Sequence, residues 1–167
     1  MMILETERLR LRQFEKTDTA FIIELVNSPG WLEYIGDRNV RTEEQAIVYL
    51  ENGPIRSYMV NGYGLWMVER KEDQVPVGMC GIVNRPMMSN PDIGFAFLPL
   101  YMGTGFAFEI AKATLDFANN ALNISVISAI TVPKNVKSIR LIAKLGLTFI
   151  REFSFPDSQE ILSLYSQ

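Results

Sequence analysis

The chain contains no histidine. That absence removes the usual general base near neutral pH, the Ser-His-Asp and Cys-His nucleophile systems, and every imidazole metal site. Any chemistry must therefore use carboxylates, hydroxyls, lysine, water or backbone dipoles. Cysteine is nearly as scarce. With Cys80 alone, no intramolecular disulfide and no cysteine-held zinc can form, no metal is expected, and a reducing cytoplasm is the expected compartment. Long apolar runs are missing too. The opening MMILETERLRLR has no apolar core of signal-peptide length and nothing later could span a bilayer, so a soluble protein without membrane contact is expected. Nor is there an excess of positive charge. Sixteen Lys and Arg are outnumbered by nineteen Asp and Glu, for a net charge of -3, and their dispersal leaves no broad basic face for nucleic acid. Repeats, low-complexity tracts and Ser/Gly linkers are absent, so residues 1–167 read as one domain.

What is present suits a compact core: 167 residues, 48% of them apolar. Leu9 and Leu11 alternate with Arg8, Arg10 and Arg12, the period-2 pattern of a strand with one wet face, ending near Glu15. Phe21, Ile22, Leu25 and Val26 recur at helical spacing, predicting a helix over 18–27 that Pro29-Gly30 stops. Thr42-Glu43-Glu44-Gln45 reads as a capping box opening a second helix, with Gly53-Pro54 closing it. Two β-rich runs, 63–70 and 75–83, flank the charged turn Lys71-Glu72-Asp73-Gln74 and predict a hairpin. A further strand over 93–98 precedes a long, mostly apolar helix whose Glu109, Lys112, Asp116 and Asn120 form a narrow polar stripe. A buried strand over 125–132, an amphipathic helix over 136–145 ended by Gly146, and a closing strand pair over 149–155 and 161–165 complete the chain. The expected fold is an α/β mixture: a central mixed sheet of about seven strands with about four helices.

Two strand-to-helix junctions stand out. At Leu98-Pro99-Leu100-Tyr101-Met102-Gly103-Thr104-Gly105-Phe106 a strand passes through glycines straight into a helix, whose end exposes unpaired N–H groups and the positive pole of the helix dipole. Such an end holds a phosphate without a basic side chain. A tight connection with no ligand is the other reading of a bare Gly-x-Gly. A Walker loop is excluded for want of Gly-Lys-Ser/Thr, and the third glycine of a dinucleotide fingerprint is missing. The second junction is Pro133-Lys134-Asn135-Val136-Lys137-Ser138. Ordinary capping accounts for Asn135; Lys134, Lys137 and Arg140 nearby would suit a second anionic group.

The chain resembles the GNAT acetyltransferases, in particular their RimJ/RimL-like branch. The resemblance rests on Thr6-Glu7-Arg8-Leu9-Arg10-Leu11-Arg12, Gly64-Leu65-Trp66, Gly78-x-x-Gly81, Asp92-Ile93-Gly94-Phe95, Tyr101-Met102-Gly103-Thr104-Gly105-Phe106-Ala107, and Pro133-x-Asn135-x-x-Ser138 with Lys144-Leu145-Gly146, all in the family's order. It implies that acetyl-CoA lies in a splayed gap between the fourth and fifth of the strands above. Pantetheine would pair with backbone at Phe97 and Leu98. The pyrophosphate would rest on amides of Met102, Gly103, Thr104, Gly105, Phe106 and Ala107, with Asn135 and Ser138 on the other wall. The chain departs from the family at Thr104, where Lys, Arg or Gln is common, at Phe108, where Thr is common, and at Leu100, where a polar residue is common. Weaker cofactor affinity or a different acyl chain would follow.

Aminolysis of a thioester needs a neutral amine, a stabilised oxyanion and a proton for the leaving thiolate, but no enzyme nucleophile. Direct transfer to a primary amine is expected, since Cys80 has no histidine to activate it. The resemblance points to Asp92 as base, and the residue's place after Asn90-Pro91 equally suits a turn cap. Backbone N–H at Phe97 or Leu98 would serve the oxyanion, the resemblance implies that Ser138 protonates the thiolate, and Glu160 is a further carboxylate that a solvent-facing place at a strand edge accounts for better. Trp31, Tyr34, Tyr63 and Trp66 are candidate walls for the acceptor, entering between the early helices and the final strand pair. The residues do not identify the amine; the resemblance to the RimJ/RimL-like branch points to a protein N-terminal amine. A small amino acid, polyamine or antibiotic, a non-catalytic acyl-CoA-binding domain, and a purely structural domain are the alternatives. Homodimers are common among the resembling proteins.

Overall fold

The alternation at the start of the chain persists in three dimensions. In the computed structural model, which describes residues 1–167, Leu9 and Leu11 are fully buried while Arg10 and Arg12 are half-buried, forming β2 (Leu9–Arg12). Before it lies β1 (Met2–Glu5), antiparallel to β2. Four residues with no fully buried position give too weak a pattern to announce this strand, so the sheet has eight strands where about seven are expected.

Helix α1 (Thr19–Val26) buries Phe21, Ile22, Leu25 and Val26 as the spacing demands. Pro29-Gly30 does not simply stop it. Pro29 is the first residue of α2 (Pro29–Tyr34), where its fixed φ and missing N–H cost nothing. The capping box forms: Thr42 accepts from the Gln45 amide, and the Gln45 side chain accepts from the Thr42 amide, opening α3 (Glu43–Leu50). Gly53-Pro54 does not close that helix either. The chain widens into a π turn, Glu51–Ile55, and continues as α4 (Arg56–Asn61) until Gly62 at φ 77°. A π turn shifts the carbonyl that a proline ring would otherwise strike, so Pro54 is accommodated.

The remaining elements are β3 (Leu65–Arg70), β4 (Pro76–Val83), β5 (Asp92–Phe97), α5 (Phe106–Asn120), β6 (Ser128–Thr131), α6 (Val136–Lys144), β7 (Thr148–Phe153) and β8 (Leu162–Ser166). The sheet order is β1-β2-β3-β4-β5-β6-β8-β7, antiparallel throughout except between β5 and β6. Strands β3 and β4 approach so closely that a Cβ on Gly81 would clash with the Gly64 carbonyl oxygen.

Both faces of the sheet are covered. Leu9, Leu11, Trp66, Val68, Cys80 and Ile82 pack against α5 and α6. Met67, Met79 and Leu98 pack on the other face against α1 to α3. Each fully buried Leu or Ile contributes about 1.5–3 kcal/mol, so these two layers hold the framework on which the site is built. Arg12 ties its edge together, reaching Glu69 on β3 at 2.6 Å and Asp18 before α1 at 2.9 Å. No helix is long and apolar enough to cross a membrane.

Candidate active site

Strands β5 and β6 pair at a single position, Asp92 with Ser128, where the Ser128 N–H also donates to the Pro91 carbonyl at 2.9 Å. Beyond that point they diverge into a fork. The Leu98 N–H donates to the Val77 carbonyl at 3.0 Å, on the β4 side. Alternation along β5 then turns the N–H and C=O of Phe97 the other way, into the fork. Phe95 and Ala96 are half-buried although they sit mid-sheet, which is the mark of a strand lacking a neighbour.

At the open end of the fork the chain makes one 3-10 turn, Pro99–Tyr101, and then the glycine bend. Gly103 and Gly105 take φ values of 73° and 83°, a region that costs other residues about 1–2 kcal/mol. Gly105 is the N-cap of the 15-residue α5 and brings no side chain to satisfy its first amides. The N–H groups of Gly103, Thr104, Gly105, Ala107 and Phe108 have no acceptor within the protein. Those of Met102 and Phe106 differ: Met102 donates to the Pro99 carbonyl at 3.2 Å and Phe106 faces Thr104 Oγ1 at 3.4 Å. Free donors at the positive end of a long helix make an anion site.

A network missed in the sequence braces this bend. Glu109 accepts from Thr6 Oγ1 at 2.6 Å, from the Arg8 amide at 2.9 Å and from Arg8 Nε at 2.7 Å. Burial raises the Glu109 pKa, but hydrogen bonds from Thr6 and Arg8 outweigh it and hold the carboxyl below its ordinary value. Arg8 Nη1 donates to the Thr104 carbonyl at 3.0 Å, and the guanidinium lies 4.6 Å from the Phe106 ring centroid. Periodicity marks Arg8 only as a wet-face residue, and nothing local in sequence pairs it with a glutamate 101 positions later.

The opposite wall starts at α6. Asn135 Oδ1 accepts from the Ser138 amide at 3.2 Å, the capping role, while the Asn135 side-chain amide and the Ser138 hydroxyl have no protein partner. Lys144 Nζ stands 4.2 Å from the Phe108 ring centroid, linking α6 to the first turn of α5.

Helix α2 reaches the glycine bend and the β6–α6 loop. A Cβ on Gly30 would lie 3.7 Å from the Met102 methyl, and Lys134 Nζ sits 5.8 Å from the Tyr34 ring centroid. Between α2, the β6–α6 loop and the β7–β8 loop opens a cleft of about 530 Å³, whose lining includes Leu32, Glu33, Tyr34, Lys134, Glu160 and Ile161. Of the four aromatic candidates, Tyr34 lines it. Trp31 is buried in the core beneath α1 to α3, 6% exposed, with Nε1 unpartnered. Trp66 is 1% exposed in the core on the α5 face, edge-on to Phe117, and Tyr63 packs against that same core. Trp66 is therefore a packing residue, because residue parity on β3 turns it away from the α2 side.

Asp92 is also set apart. It lies at the closed end of the fork, 1% exposed, with its carboxylate on Arg85 Nε at 2.8 Å. So enclosed, the carboxylate makes no direct approach to an incoming amine, and the expected role as base would have to run through water. Cys80 is fully buried, and burial pushes its thiol up to about 12, beyond the smaller opposing pull of Thr114 and the Gly81 backbone. A larger hollow of about 940 Å³ lies between α3, α4 and the Gly64 and Asn84 ends of β3 and β4. It opens at the end of the sheet away from the glycine bend and contains none of the groups above.

Comparison with known proteins agrees with this geometry. Residues 8–148 match the family model described as an acetyltransferase (GNAT) domain. The chain is 30% identical over 159 residues to the uncharacterized protein YkkB of Bacillus subtilis, covering 92% of this chain and 91% of that one. Its fold matches RimL, a ribosomal L7/L12 alpha-N-protein acetyltransferase solved with coenzyme A, with TM-score 0.84, 14% identity and coverage of 100% and 97%. It also matches a Vibrio cholerae spermidine N-acetyltransferase solved with CoA and spermine, with TM-score 0.78, 18% identity and coverage of 97% and 96%. A sheet forked after its fifth strand, a glycine bend of free amides and a family match over most of the chain agree: the protein is a GNAT acetyltransferase.

Proposed function

We propose that the protein moves an acetyl group from acetyl-CoA directly to a primary amine, with a peptide N-terminus as the acceptor class. The observation carrying this reading is the run of unpartnered amides at Gly103, Thr104, Gly105, Ala107 and Phe108 beside an open fork. The amides suit the diphosphate, the outward-facing Phe97 backbone suits pantetheine and the thioester oxygen, and Asn135 and Ser138 suit the second wall. The expectation for Leu98 shifts to its strand neighbour, since its own amide is committed to Val77.

In the reaction the amine nitrogen attacks the thioester carbon, the C–S bond breaks, and the products are an amide and free coenzyme A. The amine proton passes through water to Glu160 at the cleft rim, which replaces the enclosed Asp92 in this role. The Ser138 hydroxyl, free of protein partners, donates to the thiolate and regains its proton from solvent. Transfer bypasses Cys80, whose thiol is fully buried out of reach of the thioester and raised by that burial.

The cleft's exposed apolar rim, Leu32, Ile35 and Ile161, favours a peptide over a small polar amine. Glu33 and Glu160 in the same rim favour a second reading, a polyamine, as in the spermidine enzyme of like fold. Thiol release from acetyl-CoA, measured against N-terminal peptides and against spermidine and spermine, separates the two. Turnover with peptides alone supports the first reading, turnover with polyamines alone supports the second, and tight acetyl-CoA binding without release from either defeats both.

A further inference from the structure

The glycine bend, Met102-Gly103-Thr104-Gly105-Phe106, carries no cationic side chain of its own. The charge comes instead from β2. Of the three guanidinium nitrogens of Arg8, Nε is held by Glu109 at 2.7 Å and Nη1 by the Thr104 carbonyl at 3.0 Å. The third, Nη2, has no acceptor. It lies 3.2 Å from where a Cβ on Gly105 would stand, beside the N-cap of α5 and its free amides. The Phe106 ring supports the guanidinium at 4.6 Å, and the side chain remains 45% exposed. Three separate contacts thus fix the plane of Arg8 and leave one donor edge at the bend.

We propose that Arg8 is a diphosphate-binding residue, with Nη2 completing the oxygen cradle that the Gly103 to Phe108 amides begin. This rests on the acyl-CoA reading above. Glu109 has a supporting part: a carboxylate in the first turn of α5 would repel an anion bound there, and its engagement by Thr6 and Arg8 both quiets that charge and aims the guanidinium. A fixed, planar cation is better suited to this than a lysine, whose ammonium has no comparable fork to anchor.

Calorimetry with coenzyme A, without an acceptor amine, tests the proposal on the full chain. Arg8→Gln is expected to weaken binding about tenfold or more, the loss of one charge-assisted hydrogen bond. Arg8→Lys is expected to recover part of that loss, and the salt dependence of affinity is expected to be shallower in Arg8→Gln than in the parent protein. Dephospho-coenzyme A should show the same Arg8 dependence, because the contact is to the diphosphate. Unchanged affinity in Arg8→Gln, with only a lower unfolding temperature, would make Arg8 a structural brace and overturn the proposal. So would recovery of parent affinity in Arg8→Gln/Glu109→Gln, which would mean that Arg8 merely screens Glu109. Loss of the Arg8 dependence with dephospho-coenzyme A would move the contact to the 3′-phosphate and overturn the diphosphate assignment. Absence of heat from the parent protein would instead remove the acyl-CoA reading itself, so the two failures are distinguishable.

Discussion

Asp92 shows how enclosure changes the meaning of a side chain. Burial raises its pKa above the ordinary 3.8, and the nearby Arg85 only partly offsets this. A carboxyl raised in the folded state favours folding while protonated, and that contribution disappears as pH climbs through the folded-state value. Relative to Asp92→Asn, the parent protein should therefore lose stability from about pH 3.8 upward and then level off, as read by urea unfolding across pH. The pH profile of turnover should be the same in both, because the group that titrates there does not touch substrate. In the sequence, Asn90-Pro91-Asp92 looks equally like a turn cap and a catalytic base, since exposure is decided by Ser128 and Arg85, which only the fold brings near. Trp66 was illegible for a related reason. Four consecutive positions of β3 are buried, so no polar face reveals which side meets the acceptor.

Among the elements, those defined by local chemistry were readable. The Thr42 capping box and the strand, glycine bend and helix over 92–120 follow from contacts within a few residues. The π turn at Gly53-Pro54 and the helix begun by Pro29 were not, because breaker residues also serve as starters and tolerated interruptions when the surrounding helices pack well. Nor was the Thr6, Arg8 and Glu109 brace, which joins elements far apart in the chain. The bend permits a clean test of its own conformation. Gly103 has nothing within 4 Å of an added Cβ, yet sits at φ 73°. Gly103→Ala thus introduces backbone strain without collision, about 1–2 kcal/mol. The expected result is a comparable loss of unfolding free energy together with weaker coenzyme A binding, measured by denaturant titration and calorimetry. Full retention of both would show that the positive φ has no part in presenting the amides.

Taken whole, the sheet consists of two leaves, β1 to β5 and β6, β8, β7, stitched at Asp92 and Ser128. Hydrogen exchange should resolve them. Addition of coenzyme A is expected to protect the amides of Phe97 and of Gly103 to Phe108, while β2 to β4, already paired on both sides, change little. Protection spread evenly over the chain would argue for global tightening instead. The fork also bears on what the protein excludes. Outer rims of sheets invite stray polypeptides to add on, whereas this unpaired row is recessed at mid-molecule between helix-covered faces. A thin amide-bearing arm, branched only at one pair of methyls and a hydroxyl, fits such a slot; a neighbouring protein's strand, bristling above and below, does not.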